Sequence, residues 1–138
     1  MTWAEKMKEY GGGNFTFLSV DGDTITFIVV GEPVLLKTMF KKQEQERIGC
    51  PVVTEEGYQL FITGKRVARK LSKHEAVFGC SAIMVIRHGV EGDVNARYDV
   101  RVLPEPATFE RLKAIYDTDF RPEMIADSVA EATATLGE

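Results

Sequence analysis

The chain has 138 residues with a formal net charge of -4, and it is 44% hydrophobic, 28% charged and 9% aromatic. A chain of this size and composition folds as one globular unit without a covalent staple, which sets aside the disordered and membrane-spanning classes. No apolar run approaches the ~18 residues of a bilayer span, and the opening MTWAEKMKEY lacks an apolar h-region, so neither export nor anchoring is expected.

Trp3, Met7 and Tyr10 recur at helical spacing before Gly11, Gly12 and Gly13, which predicts a short N-terminal helix. FTFLSV (15–20) and TITFIVV (24–30) are β-branched and aromatic and flank Asp21-Gly22-Asp23, the signature of a hairpin. Gly31-Glu32-Pro33 ends the second strand, and VLLKTMFKK (34–42) begins a third. QEQE (43–46) then reads as an exposed loop. RIGCPVV (47–53) and YQLFITG (58–64) follow as strands around a turn at Thr54–Gly57, and Pro51 suggests an edge position.

At Lys65 the period changes. Val67, Ala68, Leu71 and Ala76 or Val77 share one helical face, and Gly79 closes the helix. AIMVIRH (82–88) is a nearly continuous apolar strand, Gly89–Asp93 a turn, and ARYDVRVL (96–103) an alternating strand. Two helical patterns end the chain, ATFERLKAIYDTDF and PEMIADSVAEATATL, with Pro122 in the first turn of the second. A face of Phe109, Leu112, Ile115 and Tyr116 is expected to pack on the β-rich body or on a second subunit.

Strands, one helix and a final hairpin are the order of an oligonucleotide-binding (OB) barrel, whose helix lies between its third and fourth strands. The expected fold is therefore mainly β, a small OB-like barrel with a short N-terminal helix over residues 1–104 and a helical extension over 105–138.

Charge is unevenly distributed. The net charge is -3 over residues 1–36, +4 over 37–101 and -5 over 102–138. The run KRVARKLSKH (65–74) holds Lys65, Arg66, Arg69, Lys70 and Lys73 without an acid, whereas a merely soluble helix interleaves signs for i,i+4 pairing. A polyanion responds to such a local field within about a Debye length, ~8 to 10 Å. Single-stranded nucleic acid needs cations along its phosphates and exposed rings for its bases. Strand alternation puts Phe61 on the face of Gln59 and Thr63 and offers it for stacking, with Phe40 a second ring. Lys37, Lys41, Lys42 and Arg47 add cations around the third strand, and Arg87, Arg97 and Arg101 add them on the final hairpin, while Tyr98 belongs to the core.

Catalysis has little to stand on. His74 and His88 have no neighbouring nucleophile in a triad arrangement, and two histidines with the lone Cys50 and Cys80 fall short of a zinc site, so the cysteines read as small buried thiols. Asp21-Gly22-Asp23 is a turn before it is a metal site, and Gly11–Gly13 precedes a strand, where a phosphate loop would need a helix. No enzyme activity, cofactor or metal is expected.

FLSVDGDTITFIVVGEPV, the pair Cys50-Pro51 and the hairpin IRHGVEGDVNARYDV carry a family resemblance. Asp21, Gly22, Phe27, Ile86, Arg87, Gly89, Gly92, Asp93, Tyr98 and Val100, within about Asn14 to Leu103, resemble the pattern of bacteriophage single-stranded DNA-binding proteins with an OB fold. The resemblance implies a protein that coats single-stranded DNA without strong sequence preference in phage replication, recombination or repair. RNA is left open as a ligand, and replication or recombination proteins and a homo-oligomer are left open as partners. The implied place is the host cytoplasm. Such proteins often end in a flexible acidic tail, whereas MIADSVAEATATLGE reads as a helix. The competing expectations are a phage structural or assembly protein that uses the barrel and helices for protein contacts, and a small nuclease.

Overall fold

The computed structural model describes residues 14–40, 42–93 and 95–136, with the side chain of Phe40 left out. The expected N-terminal helix and Lys41 lie outside the described residues. The strands are β1 (Phe15–Thr16), β2 (Thr24–Val29), β3 (Val34–Phe40), β4 (Gln43–Thr54), β5 (Gly57–Thr63), β6 (Ala82–His88) and β7 (Arg97–Leu103). Helix α1 (Lys65–Ser72) follows β5, and α2 (Pro106–Asp119) and α3 (Glu123–Leu136) follow β7.

All seven strands belong to one sheet of order β1-β5-β4-β2-β6-β7, with β3 also paired to β4. Every pairing is antiparallel except β1 with β5. The sheet is open. Its end strands are β1, which bonds β5 with Phe15 beside Leu60 and Thr16 beside Phe61, and β7, and no ladder joins the two among the described residues. The expected small closed OB-like barrel is thus corrected to an open, mixed sheet layered with helices, an α/β arrangement rather than a mainly β one.

Three local expectations change with it. The segment 15–20 does not form a hairpin with 24–29, because β1 pairs with β5 and only the Asp21-Gly22 turn survives of that prediction. QEQE is strand: Glu46 stands opposite Lys37, Gln45 opposite Thr38 and Glu44 opposite Met39, so β3 supplies the ladder that an isolated polar run lacks. Pro51 lies inside the sheet, paired with Leu60. Its carbonyl accepts from Val30 N–H at 3.0 Å, so its missing N–H faces the place where Gly31–Pro33 interrupts the neighbouring strand. A ladder already broken there loses nothing to a proline.

Both faces of the sheet are covered. On one, Ile25, Phe27, Val52, Phe61, Ile83 and Val85 pack with Val67 and Leu71, the two buried residues of α1 at i,i+4 spacing. Burying each of these two helical side chains contributes about 1.5–3 kcal/mol. α1 ends sooner than its apolar pattern predicts, and Glu75–Val77 continues as a 3-10 turn. On the other face, Phe109, Leu112, Ile115 and Tyr116 of α2 pack on Ile28, Val53 and Ala82. There Val129, Ala132 and Leu136 of α3 cover Leu36, Leu60 and Ile62. The C-terminal helices therefore complete the core of the strands, and the amphipathic face expected at Phe109–Tyr116 does pack back on the β-rich body. Cys50 is buried, which raises its thiol pKa to about 12, whereas Cys80 is exposed, contrary to the reading of both as buried.

Candidate nucleic-acid interface

The strand-to-helix junction makes the site. β5 ends at Thr63, and Gly64 (φ -76°, ψ 167°) turns the chain directly into α1, so the first helical residues are the cations Lys65 and Arg66. A cleft of about 670 Å³ opens around this junction, with Phe17, Met39, Arg47, Lys65 and Arg66 among its lining residues and Glu91 and Asp93 on the loop before β7. Phe17 is 54% exposed. An exposed ring beside guanidinium groups is the pair of features that stacks a base and holds its phosphate.

The structure sorts the predicted residues. Arg47, Lys65, Arg66 and Arg87 come together at this cleft. Arg66 is exposed and makes no ion pair among the described residues, while Arg47 donates to Gln45 Oε1 at 2.7 Å. Lys65 reaches Glu46 Oε1 at 2.7 Å, and that hydrogen bond first, then the lysine's charge, holds the Glu46 carboxyl below its ordinary pKa. Lys37 stands 4.0 Å from Glu44 on the β3–β4 ribbon, and exposed Lys42 takes the left-handed turn position there, φ 65°. Arg69 on α1 and Lys73 just after it are exposed and do not line the cleft, whereas Lys70 donates to Tyr98 O at 2.8 Å and ties α1 to β7. Arg97 is exposed on β7, and Arg101 lies 3.6 Å from Asp99. The Phe40 side chain lies outside the described part of the structure.

Two predicted contacts are placed otherwise. Phe61 is 1% exposed and its ring centroid lies 5.7 Å from that of Phe27, so it is a core residue. Alternation misleads here because β5 is covered on both faces: Leu60 and Ile62 meet α3, and Phe61 meets α1. Arg87 is 7% exposed, with Nε donating to Gly89 O at 3.0 Å, one terminal nitrogen to Val90 O at 2.8 Å and the other to Tyr98 Oη. Its guanidinium organises the turn before β7 and lies in the wall of the cleft, out of reach of a strand on the surface.

The acids near this wall serve the backbone. Asp23 Oδ2 accepts from Ser19 and Val20 N–H, both at 3.0 Å, and these bonds hold its carboxyl below the ordinary range. Asp21 Oδ1 accepts from Gly89 N–H at 2.9 Å, so the two aspartates are turn residues, as their spacing predicts. On the far hairpin, the hydrogen bond from His88 is the main cause that lowers the Asp99 pKa. A second cleft, about 530 Å³, is lined by Thr24, Thr26, Thr54, Glu56 and the pair Glu55–Arg111, whose 2.6 Å contact neutralises its one cation among the described residues.

Sequence reasoning missed Phe17. The alternation of Phe15, Thr16 and Phe17 is visible in FTFLSV, but its meaning depends on β1 ending after two residues, which leaves Phe17 off the sheet. No family model matches the chain, and no curated protein or solved structure matches it either. The functional reading therefore rests on the geometry of this cleft.

Proposed function

We propose that this protein binds single-stranded DNA without strong sequence preference, coating exposed strands in phage DNA replication, recombination or repair. The observation that carries the reading is the cleft at the β5–α1 junction, where exposed Phe17 and Arg66 share a surface with Arg47 and Lys65. Bases would stack on Phe17 while the phosphates pass the cations, and Glu91 and Asp93 would turn the strand away from the β6–β7 turn. A basic middle, +4 over residues 37–101, supplies the attractive field that the acidic total conceals.

Fluorescence anisotropy of labelled oligo-dT at several salt concentrations tests this. Binding should favour single strands over duplex, with a log–log salt slope of about -0.7 per phosphate neutralised. Arg66→Glu should weaken binding and flatten that slope, and Phe17→Ala should weaken it with the slope retained, because stacking releases no counterions. Indifference to oligo-dT at low salt would sink the reading.

One observation favours the alternative of an assembly protein. Among the described residues β3 pairs only with β4, and beside its free edge Leu35 is 51% and Met39 39% exposed. Concentration-dependent assembly that Leu35→Lys abolishes, in a protein that ignores oligo-dT, would support that alternative.

A further inference from the structure

We propose that the N-terminus of α1 is a phosphate subsite inside the cleft, an inference that rests on the single-strand reading and names the atoms that would hold the strand's backbone. The first N–H groups of a helix have no intrahelical acceptor. In α1 the first such bond comes from Ala68 N–H to Gly64 O at 3.2 Å, which leaves the N–H groups of Lys65, Arg66 and Val67 without one. Proteins usually fill this position with a Ser, Thr, Asp or Asn cap. Here the cap is Gly64, no side chain caps the helix, and its first turn holds no acid.

The charge around these groups has the wrong sign for a helix on its own. The macrodipole places partial positive charge at the N-terminus, and this chain adds Arg66 there, along with Lys65, whose ammonium Glu46 meets at 2.7 Å. An anion of appropriate size satisfies the dipole, the side chains and the N–H groups together.

Thr63 supplies an independent sign of a ligand. It is 7% exposed, lines the cleft one residue before the cap, and its hydroxyl has no hydrogen-bond partner among the described residues. No fully enclosed side-chain nitrogen or oxygen there lacks a partner, so the Thr63 hydroxyl opens on the cleft rather than into the core. Arg87 also lines the cleft, a buried guanidinium that donates to two carbonyls and the Tyr98 hydroxyl, lies over the Tyr98 ring and shares its charge with the nearby Asp23 carboxylate. Three backbone donors, one hydroxyl and the Arg66 guanidinium, which makes no ion pair among the described residues, match the non-bridging oxygens of a phosphate. The ligand class is a phosphodiester in a strand, with free inorganic phosphate as the small probe of the same chemistry.

The test uses the full chain and two ligands. In a ¹H–¹⁵N titration with inorganic phosphate, against sodium chloride of equal ionic strength, the amides of Lys65, Arg66 and Val67 should shift saturably. Oligo-dT should shift the same amides and compete with phosphate. Thr63→Val removes the hydroxyl at nearly constant volume and should weaken phosphate binding about fivefold, the worth of one hydrogen bond. Gly64→Asp gives a signal of opposite sign in two readouts. A Cβ at Gly64 meets nothing within 4 Å and its φ suits any residue, so the new carboxylate would cap the orphan N–H groups. The thermal midpoint should hold or rise while the phosphate shifts vanish and oligo-dT binding drops about tenfold. The subsite is overturned if chloride moves these amides as far as phosphate does, or if Gly64→Asp leaves oligo-dT affinity unchanged. Saturable phosphate shifts in a protein that ignores oligo-dT would retain the subsite and overturn the single-strand reading.

Discussion

On the face covered by α2 and α3, the Tyr58 and Ser128 hydroxyls lie 2.7 Å apart, and Ser128 also lies 2.9 Å from Ile125 O. Tyr58 and Tyr116 both stack on Phe120, and Arg111 closes on Glu55 at 2.6 Å. On the face covered by α1, the Thr63 hydroxyl and the Arg66 guanidinium have no partner among the described residues, and Phe17 is 54% exposed. Ordinary folding favours satisfied groups and buried rings, so the first face is accounted for by stability alone. The second leaves donors and a ring unused beside a cleft, which is the condition under which a ligand gains what the fold has left unspent.

Two phenylalanines give the sharpest way to break this contrast. Phe61→Ala empties the core between β5 and α1 and should cost about 3–5 kcal/mol of stability, close to unfolding a domain of this size. Phe17→Ala should change stability by about 0.5 kcal/mol or less, as exposed substitutions do, while costing oligo-dT binding about 1–3 kcal/mol. Urea melts beside anisotropy titrations decide it. If Phe17→Ala proves as damaging to stability as Phe61→Ala, the α1 face is built for folding and the comparison fails.

Arg87 lies on the boundary between the two behaviours. Arg87→Met keeps an unbranched apolar stem but strands the acceptors Gly89 O and Val90 O and the Tyr98 hydroxyl, so about 2–3 kcal/mol of stability should be lost. Phosphate shifts at Lys65–Val67 should weaken in the folded fraction as well, because the charge in the wall is gone. A variant that loses stability and keeps full phosphate affinity would make Arg87 purely architectural.

Much of this contrast is present in the sequence, and the part that is absent has a physical reason. Period-2 and period-3.6 patterns locate β2, β5, β6, β7 and all three described helices within a few residues, because burial on one side enforces those periods. The closed barrel fails because the end strands β1 and β7 share no ladder among the described residues, and nothing in the composition of Phe15-Thr16 announces its parallel partner 45 residues away. Phe61 and Phe17 exchange roles for a related reason: alternation assigns faces, but only the helices stacked on each face decide which is wet. The cationic run was legible as a helix with positive charge. That two of its cations would stand at an uncapped N-terminus depends on β5 ending at Thr63, a boundary of the kind local pattern fixes least well.

A smaller effect is expected from the acid that masks part of the cleft. Glu46→Gln removes the partner of Lys65 while preserving the ribbon, so the lysine is released toward a strand. Oligo-dT affinity should rise about twofold to fivefold, the range of an exposed ion pair, and the salt slope should steepen by about 0.7 for one more phosphate neutralised. Unchanged affinity would mean that Lys65 stands outside the path of the strand.

The smallest expected effect is a pH response, and its direction follows from Asp23. Its carboxylate accepts the Ser19 and Val20 N–H groups, so its folded-state pKa lies below the value of about 3.9 for a free aspartate. The unfolded chain then binds more protons than the folded one across that interval, and stability rises with pH through it. The contribution is complete above about pH 4 and is lost as the pH falls through the lowered pKa. Asp23→Asn should therefore melt earlier than the parent at pH 6, with the gap narrowing in acid as the parent's own carboxyl protonates. The Gly22 N–H to Arg87 O and Arg87 N–H to Asp23 O bonds, both 2.9 Å, join this turn to β6, so its loosening should reach the cleft wall before the α2 and α3 face. Amide exchange that quickens at Ser19 and Val20 in acid while Tyr58 and its neighbours stay protected would separate the two faces by pH alone. Equal quickening on both faces would show that they unfold as one unit.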